Sequence, residues 1–413
     1  MKKRIIKDYA ELLVKVGVNL QKGEKLVVSS PVIAADLTRE IAKAAYKNGA
    51  RDVDVLWNDQ ELEKIGLKNR TIKSLSVIPD WAKAQRESYI EEKICYIAIL
   101  SLNPDAMKNV SSKKISVARK AKRIAFRKFS EYTSSNKIRW TIAAYPNKAW
   151  AKKVYPELSS SVALKKLWEA VIACVRLDKP SVVDAWAEHQ SNLQRRCEFL
   201  NKAKIKRFIY KNSIGTDFSV GMPDNYIFCG GAELGALDGI PFTANLPTEE
   251  VFSSPDRLTA NGRLASAMPL SSNGKLIDKF WIEFKNGRII DYGAEKGLDT
   301  LKEIIETDDG SHYLGEIALV GFDSPVRKQN VLFFETLFDE NASCHFAIGN
   351  SYPNCVEGGG DMDDESLLAA GLNVSLEHVD FMVGTRDLSI SCETVDGRQF
   401  DIFVNGEIGR AHV

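Results

Sequence analysis

Residues 25–57 read KLVVSSPVIAADLTREIAKAAYKNGARDVDVLW, and the first half of the chain takes its architecture from them. Residues 25–30 (KLVVSS) are an apolar, β-branched run of strand length. Residues 35–48 carry apolar positions at helical spacing, and Gly49 stands where a helix commonly stops. Residues 53–57 (VDVLW) give a second strand and 94–100 (ICYIAIL) a third. Strand, helix and strand at this spacing predict a βαβ unit, and therefore a parallel sheet. The stretches 8–19, 162–176 and 182–202 read as further helices.

From residue 207 the texture changes to short alternating runs punctuated by Gly, Asn, Asp and Pro: RFIYKNSIGTDFSV, WIEFKNGRIIDYG, EIALVGFDS and VDFMVGTRDLSISCETVDGRQFDIFVNGEI. "KNG" and "VDG" have the residues of hairpin turns. The expected organisation is an α/β N-terminal domain with a parallel sheet (1–185), then an α+β C-terminal domain rich in antiparallel strands (186–413). A chain of 413 residues is long for a single core, which agrees with two domains. No internal repeat is visible.

Composition excludes several classes. Lys and Arg number 56 against 55 Asp and Glu, a formal net charge of +1, so nothing pulls the whole chain toward nucleic acid or an anionic membrane. The one local exception is 107–128, with nine basic residues and no acidic one. It could be an anion-binding face, but a solvated basic helix face is the simpler reading. The N-terminal apolar residues are interrupted by Lys7, Asp8, Glu11 and Lys15, which does not suit a secretory signal. No run is long enough for a membrane-spanning helix. The seven cysteines are widely spaced without a CxxC pair, which fits reduced thiols in the cytoplasm.

Chemistry-bearing residues gather toward the C-terminus. Of the five histidines, His412 is terminal, His189 lies in the helical WAEHQ, and His312 lies in the loop-like DDGSHYLG. His345 follows Glu340 in DENASCH. His378 and Asp380 in HVDFM would share one face of a strand, because strand side chains alternate. Upstream stand NLPTEEVF, with Glu249 and Glu250, and LGEIALV, where Glu316 opens an apolar run. A carboxylate bordering a buried strand is costly unless paired or bound to metal. Taken singly, such a glutamate is ordinarily solvated and such a histidine ordinarily a satisfied core residue.

Together, NLPTEEVFSSPD, AEKG, LGEIALV followed by DSP, TLFDENASCHFAIG and HVDFMVGT closely resemble the aminopeptidase T and aminopeptidase S family of thermophilic metalloprotease-like enzymes. DYAELLVKVGVNLQKGEKLVV and DAWAEHQSNLQRRCEFLN extend the resemblance over nearly the whole chain. Val326-Arg327 and Ser253-Ser254 depart from the family's usual Ile-Ser and Thr-Ala, positions that bear on substrate fit rather than on ligands.

The resemblance implies a cytoplasmic, homodimeric metallo-aminopeptidase acting on short peptides with a free N-terminus, with no nucleic-acid or membrane partner. It implies Glu250, Glu316, Glu340, His345, His378 and Asp380 as metal ligands and Tyr352 as an active-site residue. Four carboxylates and two imidazoles suit two divalent cations per subunit, zinc, cobalt or manganese. Glu316 is the expected bridge between them, Glu250 or Glu316 the expected general base, and Tyr352 the expected donor to the tetrahedral oxyanion. The alternatives are a degenerate relative that binds metal without catalysis, or a nucleic-acid-binding protein using the 107–128 stretch.

Overall fold

The computed structural model describes residues 2–101, 103–272 and 274–408. His412 lies outside the described residues. The chain divides into two compact units, Met1–Trp186 with Ala232–Leu246, and Ala187–Gly231 with Pro247–Val413.

The first unit holds a five-stranded, wholly parallel sheet in the order Asn245–Leu246, Trp140–Ala144, Cys95–Leu100, Lys25–Pro31, Asp52–Asn58. Leu26, Val27 and Val28 are all fully buried, so the strand Lys25–Pro31 is covered on both faces. The connecting helix Ala35–Lys47 buries Leu37, Thr38, Ile41 and Ala45, a stripe at helical spacing. Gly49 takes φ +93° at its end, as a left-handed stop requires. Residues 232–246, placed by texture beyond the domain boundary, lie in this unit. Their strand adds to the sheet edge, and Asp238 accepts a hydrogen bond from the buried Arg139 at 3.0 Å.

The second unit has two antiparallel sheets. Nine strands form the larger one, including the Lys275–Lys285/Arg288–Lys296 hairpin, which turns through Asn286 and Gly287 at φ +49° and +83°. That pair of left-handed residues matches the "KNG" signal. The smaller sheet has the order His378–Met382, His345–Gly349, Leu314–Leu319, Val251–Ser253, Cys229–Gly230. Phe346, Ile348, Ile317 and Phe381 join one large apolar core.

The basic segment forms the helix Ser112–Ala125, which buries no residue. Lys122 pairs with Glu63 at 2.7 Å, and Arg127, just beyond it, with Glu131 at 2.6 Å. It is a solvated face with acidic neighbours. Among the described residues no helix is long and apolar enough to cross a membrane.

Candidate metal centre

Strand register builds the site. Glu316 pairs across from Ala347, and Ala347 from Asp380, so the three lie in one row on one face of the sheet. In the next rows His345 pairs with Ala318 and Met382, and Gly349 pairs with His378. In HFAIG, therefore, Phe346 and Ile348 point into the core while His345, Ala347 and Gly349 point to the site. The small Ala347 and Gly349 leave room between the larger polar side chains. Gly315, at a register shift just before Glu316, has no space for a Cβ, which would lie 2.2 Å from the Asn350 carbonyl oxygen.

Two overlapping triads result. Glu250, Glu316 and His345 each offer an atom within 4.8 Å of the others, and so do Glu316, His378 and Asp380. Glu316 belongs to both. Its Oε1 lies 3.9 Å from His345 Nε2, and its Oε2 lies 3.1 Å from His378 Nε2. Glu250 Oε2 is 3.0 Å from His345 Nε2, and Asp380 Oδ1 is 3.2 Å from His378 Nε2. His345 is 1%, Glu316 4%, Glu250 6% and Asp380 9% exposed.

Each imidazole is oriented from behind. His345 Nδ1 faces the Ser343 carbonyl at 3.2 Å, and His378 Nδ1 faces the Asn350 carbonyl at 2.7 Å. A carbonyl only accepts, so the proton of the neutral ring resides on Nδ1 and Nε2 is left as a ligand.

The electrostatics call for a cation. Burial drives the Glu316 and Glu340 carboxyls above their ordinary range, and neighbouring acids add to it. Burial opposes charge on His345 too, but Glu250 and Glu316 overcome that and raise it to about 9. Desolvation also opposes protonated His378, yet Asp380 and Glu316 hold it well above its usual value. Asp380, despite burial, is held low by His378 and then by His345. Among the described residues no Lys or Arg forms an ion pair with any of the six predicted ligands, and their ion pairs are with one another. Glu250 Oε2 and His378 Nε2 are buried without a hydrogen bond of adequate geometry. A tetrahedral site with bonds of about 2.1 Å has ligand–ligand edges of about 3.4 Å. The observed 3.0–3.9 Å separations bracket that edge. The donor set fits divalent cations.

Glu340 falls in neither triad but lines the same cavity as Asp380. The Tyr352 ring packs on Phe252 at 5.5 Å and on His378 at 4.9 Å. Its hydroxyl is pushed well above the tyrosine range, first by desolvation and then by Glu316, Asp380, Glu340 and Glu250. Its N–H donates to Ser254 Oγ at 3.3 Å, which gives one of the two unusual serines a contact at the site.

Two supporting residues escaped the sequence reading. His189, read as an ordinary helical residue, has its Nε2 2.8 Å from the Thr248 carbonyl and 3.7 Å from Glu249 Oε2, beside Glu250. Asn341 Oδ1 accepts the Glu249 N–H at 2.6 Å, and its Nδ2 donates to Leu337 O at 3.0 Å. The adjacency of Asn341 to Glu340 was a local cue; nothing in the sequence placed His189 near Glu249.

A profile of the thermophilic metalloprotease (M29) family matches residues 2–408. Aminopeptidase AmpS of Bacillus subtilis is 41% identical over 401 residues, 97% of each chain. The solved structure of wild-type AmpT from Thermus thermophilus superposes with a TM-score of 0.92 at 32% identity, covering 99% of this chain and 100% of that one. The 2,5-dihydroxypyridine dioxygenase of Pseudomonas putida shares only the fold, with a TM-score of 0.51 at 11% identity over 99% and 97% of the two chains.

Proposed function

The chain belongs to the thermophilic metalloprotease (M29) family, and from that premise we propose that it is an aminopeptidase using two divalent cations to remove the N-terminal residue of short peptides. One observation carries the two-cation reading. The two oxygens of Glu316 face different histidines, as a bridging carboxylate's would.

Glu250 and His345 would complete one position with Glu316, and His378 and Asp380 the other, with Glu340 alongside. Bound divalent cations such as zinc, cobalt or manganese supply Lewis acidity, lowering the pKa of water and polarising a carbonyl. The protein does the rest. Glu250 or Glu316 accepts the proton of the attacking water. Tyr352, whose hydroxyl is kept protonated first by desolvation and then by the neighbouring carboxylates, donates to the oxyanion that develops on the scissile carbonyl. The Nδ1 contacts of His345 and His378 hold both rings in place through the cycle. We assign the chemistry to residues 186–413, and assembly of a homodimer and access of substrate to residues 1–185. The enzyme is taken to act in the cytoplasm, where its thiols stay reduced.

The test is hydrolysis of a free tripeptide and its N-acetylated form, followed by chromatography. Release of the first residue from the free peptide alone supports exopeptidase action. Internal cleavage of the blocked peptide would overturn it.

A further inference from the structure

Glu249 and Glu250 are consecutive and both buried, yet only Glu250 joins the two triads. Glu250 Oε2 is 3.0 Å from His345 Nε2, whereas Glu249 Oε2 lies 3.7 Å from His189 Nε2. The two side chains diverge just ahead of the strand Val251–Ser253. Holding the backbone at Glu249 therefore also sets the direction in which Glu250 projects.

The peptide unit that joins Thr248 to Glu249 is held at both ends. Its carbonyl lies 2.8 Å from His189 Nε2, and its N–H donates to Asn341 Oδ1 at 2.6 Å. A carbonyl only accepts, so His189 Nε2 is the donor. The two holds come from distant parts of the chain, the helix Val182–Ala203 and the DENASCH segment. Asn341 is itself fixed. It is fully buried, its Nδ2 donates to Leu337 O at 3.0 Å, and its backbone carbonyl accepts from Ser324 Oγ at 2.9 Å. Close backbone packing adds to the hold. A Cβ on Gly231 would lie 2.9 Å from the Gln190 carbonyl oxygen, and one on Gly230 would lie 2.7 Å from that of Glu250. Residues 230–231 thus fill the space between the helix and Glu250. The other triad is supported separately. His378 and Asp380 share the strand His378–Met382, and the Asn350 carbonyl holds the His378 ring at 2.7 Å.

We propose that His189 and Asn341 are positioning residues that clamp this one peptide unit, holding Glu250 at the cation position it shares with His345 and leaving the position of His378 and Asp380 to its own supports. The inference rests on the two-cation reading of the site. Neither residue is a ligand; each acts through the backbone that carries Glu250. A polar partner that orients a ligand in this way is part of what sets a site's affinity.

The test measures zinc affinity of the chelated protein against a competing chromophoric chelator, in two backgrounds that each keep one position. His378→Ala keeps the position of Glu250 and His345, and His345→Ala keeps the other. Adding His189→Leu to His378→Ala should weaken zinc binding about 10–100-fold, the loss typical when a group that orients a ligand is removed. The same change in His345→Ala should leave the affinity as it was. His189→Gln places an amide N–H where Nε2–H stood, within reach of the Thr248 carbonyl, and should restore binding in the first background. Equal weakening in both backgrounds would mark a general loosening of the fold and overturn the proposal. No weakening in either, or a failure of His189→Gln to restore binding, would overturn it too. His189→Ala takes the place of His189→Leu if circular dichroism shows that variant unfolded. If the wild type takes up only one zinc per chain, the two-cation reading fails. The clamp is then decided on that one zinc: binding weakened by His189→Leu and restored by His189→Gln supports it, and unchanged binding overturns it.

Discussion

Replacing Glu316 by Gln keeps the shape of the side chain and removes the charge shared by both triads. His345 belongs to one triad only and His378 to the other. The three substitutions Glu316→Gln, His345→Ala and His378→Ala should therefore differ in stoichiometry as well as in affinity. Loss of a group that merely orients a ligand typically costs about 10–100-fold in affinity. Loss of Glu316, the proposed bridge, 3.1 Å from one imidazole and 3.9 Å from the other, should exceed that range at both positions. Each histidine variant should keep one cation per chain and Glu316→Gln neither, measured by inductively coupled plasma mass spectrometry after gel filtration. A cation at about 100 times its Kd stabilises the folded state by about 2.7 kcal/mol. For a unit of roughly 200 residues, a gain of this size raises Tm by about 5–10 °C. Wild-type protein should show that rise on adding zinc to chelated enzyme, and Glu316→Gln should show almost none. Two retained cations and an intact thermal shift in Glu316→Gln would refute the bridging assignment.

Other outcomes follow from the same geometry. Tyr352→Phe should lower kcat about 10²–10³-fold in a p-nitroanilide assay while metal content stays at the wild-type value; loss of metal would make Tyr352 structural. Ala347→Leu should fill the gap between Glu316 and Asp380, abolishing metal uptake by mass spectrometry while far-ultraviolet circular dichroism stays native. Asp308 ties the loop before the Glu316 strand to the loop before His378, accepting from Ser311 N–H and Oγ and from Ser375 Oγ at 2.8 Å, and from Leu376 N–H at 2.6 Å. Burial raises its carboxyl, but these bonds outweigh it and hold the pKa below the ordinary value. A depressed folded-state pKa contributes stability that is present above the unfolded pKa and lost as pH falls through the folded one. Urea unfolding should show Asp308→Asn less stable by about 1–2 kcal/mol at neutral pH, with the difference shrinking below about pH 4.

Local periodicity made the elements legible. The 25–57 stretch revealed the parallel sheet because its period changes from strand to helix and back within one unit, and "KNG" announced its hairpin through residues that tolerate positive φ. His378 and Asp380 could be placed together because they sit two apart on one strand. The rest depended on register between distant strands. Glu250, Glu316 and His345 come from three separate segments, and only pairings such as Ala318 with His345 bring them to one face. No spacing encodes that, so their proposal as ligands rested on resemblance to known enzymes. His189 was missed for the same reason, since its contact with Thr248 joins residues 59 apart. The place of residues 232–246 is likewise set by a two-residue strand pairing beyond the reach of any local pattern.

The measurement that bears most directly on the central claim is release of amino acid from a panel of aminoacyl-p-nitroanilides. It is run on the protein as isolated, after chelation, and after return of zinc, cobalt or manganese, with bound metal quantified at each stage. The account predicts that release disappears with the metal and returns with it. Undiminished release from protein shown to hold no metal would contradict it.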